Sequence, residues 1–191
     1  MKIYSFLLFC LLTCSAAVAS ADKGFRIGWM PSITSTSIED PNGPVEDHTA
    51  AALLQAVGIF DMGRDVRIFA NAVYDKYEVE ASTTNIHYDV SRFGINATYQ
   101  WNVRLTRSFK PWLGVGLGYS QDTFADRYTL TPGGFLAASY PDRTVDSFNL
   151  VLNSSIDWQI SRDLDLGIHF QWEQPTGDGA RSARVGVYIA Y

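Results

Sequence analysis

The stretch Arg92-Phe93-Gly94-Ile95-Asn96-Ala97-Thr98-Tyr99-Gln100-Trp101-Asn102-Val103-Arg104-Leu105 decides the fold. Phe93, Ile95, Ala97, Tyr99, Trp101, Val103 and Leu105 fall on one face. Arg92, Gly94, Asn96, Thr98, Gln100, Asn102 and Arg104 fall on the other. Successive side chains of a β-strand point to opposite faces, so this pattern is a strand with one apolar and one polar side. Its 14 residues exceed the roughly 5–6 usual in soluble sheets. They are ample for crossing a bilayer at a tilt, for which about 9–11 suffice.

The same alternation extends outward along the chain. Phe148, Leu150, Leu152, Ile156, Trp158 and Ile160 share a face in 147–160, and Leu164, Leu166, Ile168, Phe170 and Trp172 do so in 163–173. Leu113, Val115, Leu117 and Tyr119 alternate with glycines and a serine, and Phe25, Ile27 and Trp29 make a short N-terminal strand. Segment 50–60 also fits a helical face through Ala50, Leu53, Leu54 and Val57; it is read as a strand because its length suits a span. Eight strands are predicted, over 23–30, 50–60, 65–77, 87–105, 111–122, 145–160, 163–174 and 182–191. The connections 61–64, 106–110 and 161–162 are short. Those at 31–49, 78–86, 123–144 and 175–181 are longer and rich in Pro, Asp, Ser and Thr. Short turns on one side and long loops on the other predict an all-β protein, an eight-stranded antiparallel up-and-down transmembrane β-barrel.

Of the 191 residues, 47% are hydrophobic and only 18% charged, with a net charge of −5. The acidic balance argues against a nucleic-acid partner, which needs a basic stripe. Lys2, the apolar run 3–12 and Ala19-Ser20-Ala21 predict a cleaved export signal over 1–21, leaving 22–191 as a single barrel domain. Cys10 and Cys14 are the only cysteines and both lie in that signal. Thiolate metal sites and cysteine nucleophiles are thereby excluded from the exported chain. His48, His87 and His169 lack partners at metal-ligand spacing, so neither a metal nor a cofactor is expected. Acidic Glu39, Asp40, Glu46 and Asp47 are read as loop charge.

Alternation alone does not say which face meets lipid. The polar faces hold mostly Gly, Asn, Ser, Thr and Arg, unlike the charged surface of a soluble barrel. Large aromatics also gather near strand ends. Trp101, Phe109, Trp112 and Trp158 lie near the short turns, and Trp29, Tyr88, Tyr119 and Trp172 near the long loops. Of these, Trp29, Trp101, Trp158 and Trp172 are the candidate interfacial girdle. The polar face then lines the lumen, where Arg26, Arg67, Arg92, Arg104, Asp157, Asp165, Glu173 and Arg184 form a candidate charge network. Buried charges must pair, and both signs are supplied. A hairpin pairing Ile160 with Leu164 sets Ser155 opposite His169, with Asp157 nearby. These are candidate parts of a nucleophilic hydrolase, although they face the lumen and no motif surrounds them.

The tail Val185-Gly186-Val187-Tyr188-Ile189-Ala190-Tyr191 and the strand Lys110-Pro111-Trp112-Leu113-Gly114-Val115-Gly116-Leu117-Gly118-Tyr119 resemble those of the small eight-stranded outer-membrane barrels, the group that includes the OmpA barrel domain and OmpX. The resemblance covers the whole exported chain. It implies a monomer in the outer membrane of a Gram-negative bacterium, surrounded by outer-membrane lipids and lipopolysaccharide. It also implies that Val185, Val187, Ile189 and Tyr191 form a signal for the barrel assembly machinery; Tyr191 stands where Phe is commoner. The expected role is structural, or contact with an extracellular ligand through the loops. A lipid-modifying hydrolase of the lipid A deacylase or phospholipase type, and a narrow channel, are the alternatives.

Overall fold

A computed structural model of the chain describes residues 24–39, 45–52, 54–81, 86–106, 111–161 and 164–191. The expected signal at 1–21 and Phe109 lie outside them. The elements are β1 (Phe25–Trp29), β2 (Ser32–Glu39), β3 (Val45–Ala52), β4 (Leu54–Asp61), β5 (Val66–Ala81), β6 (Ile86–Asn102), β7 (Trp112–Leu130), β8 (Leu136–Tyr140), β9 (Arg143–Ser161), β10 (Leu164–Pro175) and β11 (Arg181–Ala190). They form one antiparallel sheet that closes on itself, with Gly28 of β1 against Ala190 of β11 and Ile33 of β2 against Val185. The chain is an all-β barrel of up-and-down topology.

Several of these segments are halves of one stave. Pro31 lacks the N–H that a ladder requires, so it splits β1 from β2. The register does not change across it: Gly28 faces Ala190 and Ser32 faces Gly186. The Pro31 carbonyl still accepts from the Val187 N–H at 3.1 Å. β8 and β9 are likewise one stave, since Arg127 faces Tyr140 and Phe124 faces Arg143. Its break at Pro141-Asp142 lies across from Asp126, whose φ of 48° is left-handed. β3 and β4 are joined with one extra residue, because Trp29 faces Ala56 whereas Ser32 faces Ala52. That is a β-bulge. It moves the inward position from Ala52 to Gln55, a step of three that imitates a helical face. Hence the ambiguity of 50–60. Merging these halves leaves eight staves.

The loops expected over 31–49, 78–86 and 123–144 are corrected: most of each is strand. Their polar composition reads as loop, yet cross-strand pairing satisfies the backbone well above the apolar belt. Val79 faces Tyr88, and Tyr128 faces Ser139. At the fourth connection, β10 ends at Pro175 and β11 starts at Arg181.

The outward face is a belt of exposed apolar side chains. Leu117, Leu54 and Phe148 are 71%, 69% and 69% exposed, a cost in water and a gain in lipid. Trp101 and Trp158 mark its lower edge, at the short-turn ends of β6 and β9; Trp172 marks the upper edge on β10. Trp29 is corrected: its stave runs on to Glu39, so it lies in the lower half rather than by a long loop. Tyr88 and Trp112 are corrected too. Tyr88 is buried at 3% in the upper interior, and Trp112 lies beneath an interior arginine.

Candidate functional site

Parity sends the polar residues of every stave into one narrow lumen, where they stack in layers. The lower layer is built on Arg67 of β5. Its guanidinium donates to Gln100 Oε1 at 2.6 Å and to Ser155 Oγ at 2.7 Å, pairs with Asp157, and lies 4.1 Å from the Trp112 ring. The Tyr188 hydroxyl donates to the same Asp157. Beside it, Arg26 bridges Asp61 at 2.6 Å and Asp165 at 2.7 Å. A recess of about 290 Å³ opens here at the short-turn end and stops at Arg67 and Trp112.

The upper layer centres on Glu173 of β10. Arg92 reaches it at 3.0 Å and Arg184 at 3.2 Å. Arg184 also pairs with Asp75 at 3.2 Å, and Arg92 lies 3.7 Å from Asp122. Asn96 and Gln171 donate to Glu173 Oε1 at 3.1 and 2.7 Å. Gly118 of β7 makes this possible, because a Cβ there would sit 1.9 Å from Asn96 Oδ1. Removing one partner of such a buried pair costs about 3–5 kcal/mol.

Apolar groups separate and seal the layers. Phe69 stacks on His169 with centroids 4.3 Å apart and meets Tyr188 edge-on at 5.6 Å; Met30, Val57, Ile59 and Ala190 complete that cluster. A second cluster, of Val79, Ile86, Tyr88, Val90, Phe124 and Ala180, closes the top. Ala180, at the end of the otherwise largely exposed 176–180 connection, tucks inward, and its carbonyl is 3.5 Å from Arg92 Nη2.

Of the sequence-predicted network, Arg26, Arg67, Arg92, Asp157, Asp165, Glu173 and Arg184 all lie in the lumen or at its lower mouth. Arg104 is corrected. β6 ends at Asn102, the alternation stops with it, and Arg104 pairs with exposed Asp65 at 2.7 Å beneath the barrel. Sequence reasoning left Gln100, Trp112, Asp122 and Tyr188 outside the network. Their inward parity was the available signal.

The register sets His169 opposite Ser155. The three groups are nevertheless engaged elsewhere. Ser155 Oγ accepts from Arg67, Asp157 takes Arg67 and Tyr188, and His169 Nε2 meets Gln171 Oε1 at 3.2 Å. No hydrogen bond joins Ser155, His169 and Asp157 among the described residues, and His169 is wholly buried. A nucleophile needs its base within hydrogen-bond reach and that base oriented by a third group. Neither contact is present. The described residues hold no cluster of His, Cys, Asp and Glu suited to a metal.

No protein-family model matches the chain, and no curated protein matches it. Solved structures do. Neisserial surface protein A is 13% identical, with 88% of this chain and 96% of that one covered at a TM-score of 0.58. OprG of Pseudomonas aeruginosa is 14% identical, with 88% and 93% covered at 0.53. Ail of Yersinia pestis, the attachment invasion locus protein, solved with the heparin analogue sucrose octasulfate, is 9% identical, with 88% and 99% covered at 0.53. At such identities the likeness is one of fold: that of the small outer-membrane β-barrels.

Proposed function

We propose that this chain is an integral barrel of a Gram-negative outer membrane, serving envelope structure or surface contact rather than transport or catalysis. One observation carries the reading. Within the belt, every charged side chain among the described residues points inward and is paired, while the outward face is uncharged. Lipid selects that division, and ion pairs packed between two apolar clusters leave little room for a path through the lumen. On this reading, outer-membrane lipids and lipopolysaccharide surround the belt. Val185, Val187 and Ile189 present an exposed apolar row, ending at Tyr191, to the barrel assembly machinery. The signal over 1–21 is removed on export.

Surface contact falls to the strands that rise above the belt. The heparin analogue seen with Ail is a polyanion, and its chemistry does not suit this rim. Segments 38–48, 76–89, 124–147 and 176–181 hold eleven Asp and Glu against four Lys and Arg. The test is fractionation with outer membranes, heat-modifiable migration on gels, and planar-bilayer recording. Outer-membrane recovery, a heat-dependent shift and no conductance steps are expected. Conductance steps would return the channel reading, and recovery in the soluble periplasm would end the membrane reading.

A further inference from the structure

We propose that the outer edge of the β8–β9 stave, above the belt, docks an extended basic peptide segment of another protein by strand addition. This rests on the reading that the long-loop end faces outward. The two staves beside this edge end at different heights. The β9–β10 ladder stops at Asn149 and Pro175, and its last link is the Thr176 N–H donating to the Phe148 carbonyl at 2.9 Å. From there the connection leaves the ladder, with Thr176, Gly177 and Asp178 exposed and Ala180 packed into the upper apolar cluster, whereas β9 continues up to Arg143 and β8 to Leu136, paired on their other side with β7. Among the described residues nothing pairs with the outer edge of 138–146.

The direction of the free groups follows from Phe148. In an antiparallel strand the N–H and C=O of one residue point to the same side, and the side alternates along the chain. Because Phe148 is directed at the β10 side, so are Asp146 and Thr144. Beyond the break at Pro141-Asp142 the facing changes, because the β7 bulge at Asp126 turns Arg127 and its partner Tyr140 inward, and there the outward Ser139 carries the edge groups. An open row of this kind is a template for another strand.

Charge chooses the occupant. Asp142, Thr144 and Asp146 are exposed on the outward face of this edge. Val145 lies on the inner face and packs against the upper apolar cluster. The Asp146 carboxylate accepts from Tyr119 at 2.7 Å and from Gln121 at 2.9 Å. Those hydrogen bonds, Tyr119 first, hold its pKa below the ordinary carboxylate range, so it is charged at neutral pH. A complementary strand therefore alternates basic residues, facing Asp142 and Asp146, with apolar ones that extend the cluster beyond Val145. A second copy is a poor occupant, because antiparallel pairing about Thr144 would set Asp142 of each copy against Asp146 of the other.

The probe is a labelled eight-residue Lys-Val alternating peptide, added to the intact barrel in micelles after heat-modifiable migration has shown that it is folded. Binding is expected, with slowed amide exchange at Ser139, Thr144 and Asp146. A Glu-Val peptide is expected to bind roughly tenfold more weakly or worse. Thr144→Pro deletes one edge donor without touching the β7 ladder, and should weaken binding by roughly tenfold. Binding unchanged by Thr144→Pro, equal binding of both peptides, protection confined elsewhere, or no binding would each overturn the proposal. So would a dimer that Thr144→Pro dissolves, which would give the edge to a second copy. If Thr144→Pro fails to fold, the Asp142→Asn, Asp146→Asn double variant decides: unaltered affinity and salt dependence reject the idea. None of these failures touches the membrane reading, which stands or falls on fractionation.

Discussion

The upper layer of lumen charge seals Arg92, Arg184 and Glu173 beneath an apolar roof, whereas the lower layer leaves Asp157, Asp61 and Arg26 partly exposed beside a recess. Both layers are arginines held by carboxylates, with amides and hydroxyls filling in. The difference is access to water. A charge orphaned in the upper layer has nowhere to go, while one orphaned in the lower layer can be hydrated through the recess. The same chemistry is therefore expected to carry different energetic weight at the two levels.

Glu173→Ala should have the largest effect. It removes the carboxylate that Arg92 and Arg184 share, both at most 1% exposed, leaving Arg184 with Asp75 at 3.2 Å and Arg92 with Asp122 at 3.7 Å, and is expected to cost about 3–5 kcal/mol or to abolish folding. Urea unfolding in lipid vesicles measures it, with Glu173→Gln as the milder partner that keeps a polar group for Asn96. Arg67→Met removes the lower hub but leaves Asp157 with the Tyr188 hydroxyl and the recess. The expected loss is about 1–3 kcal/mol. A loss equal to that of Glu173→Ala would break the comparison, and water access would not be what separates the layers. Gly167→Ala tests the wall between them. Its Cβ would lie 2.3 Å from the Tyr188 ring, forcing that ring off the Phe69 edge. About 1–3 kcal/mol is expected by overpacking, read by the same unfolding assay.

The strand pattern was legible wherever parity ran unbroken, as in 92–102 and 164–173, because lipid on one side and a polar lumen on the other write a period of two directly into the residues. Parity failed at the Ala52–Leu54 bulge, and at Pro31 it ran on through a residue that reads as a strand end. There a single residue shifts or interrupts the ladder without ending the stave. The rising edges of β7 and β9 were hidden for a different reason. Thr, Ser, Pro and Asp signal loop locally, and only a distant partner makes them strand. The lumen pairs were hidden more deeply still. Arg67 and Asp157 are 90 residues apart, and Arg184 and Asp75 are 109 apart. Sequence supplies the inward charges, but the closure of the ring decides which meet.

Asp146 extends the comparison to the exposed rim, and its effect should be the smallest. Its carboxylate accepts the Tyr119 hydroxyl first and the Gln121 amide second, and both contacts lower its pKa from the ordinary 3.8. A carboxyl whose folded pKa is depressed contributes stability that is fully present above its unfolded pKa. That contribution is lost as pH falls through the folded value. The window for Asp146 therefore lies below about pH 4. Because solvent surrounds the side chain, screening keeps the effect on unfolding slight. The titration itself is the sensitive readout. Carboxyl-detected NMR should give Asp146 a midpoint below the ordinary carboxylate range. Tyr119→Phe should move it upward while leaving the Gln121 contribution, and Gln121→Ala should move it less. A midpoint indifferent to Tyr119 would mean that the hydroxyl does not hold the carboxylate in solution. The rim charge on the β9 edge would then be set by solvent alone, in contrast to the upper lumen layer, where partners rather than water hold the charges.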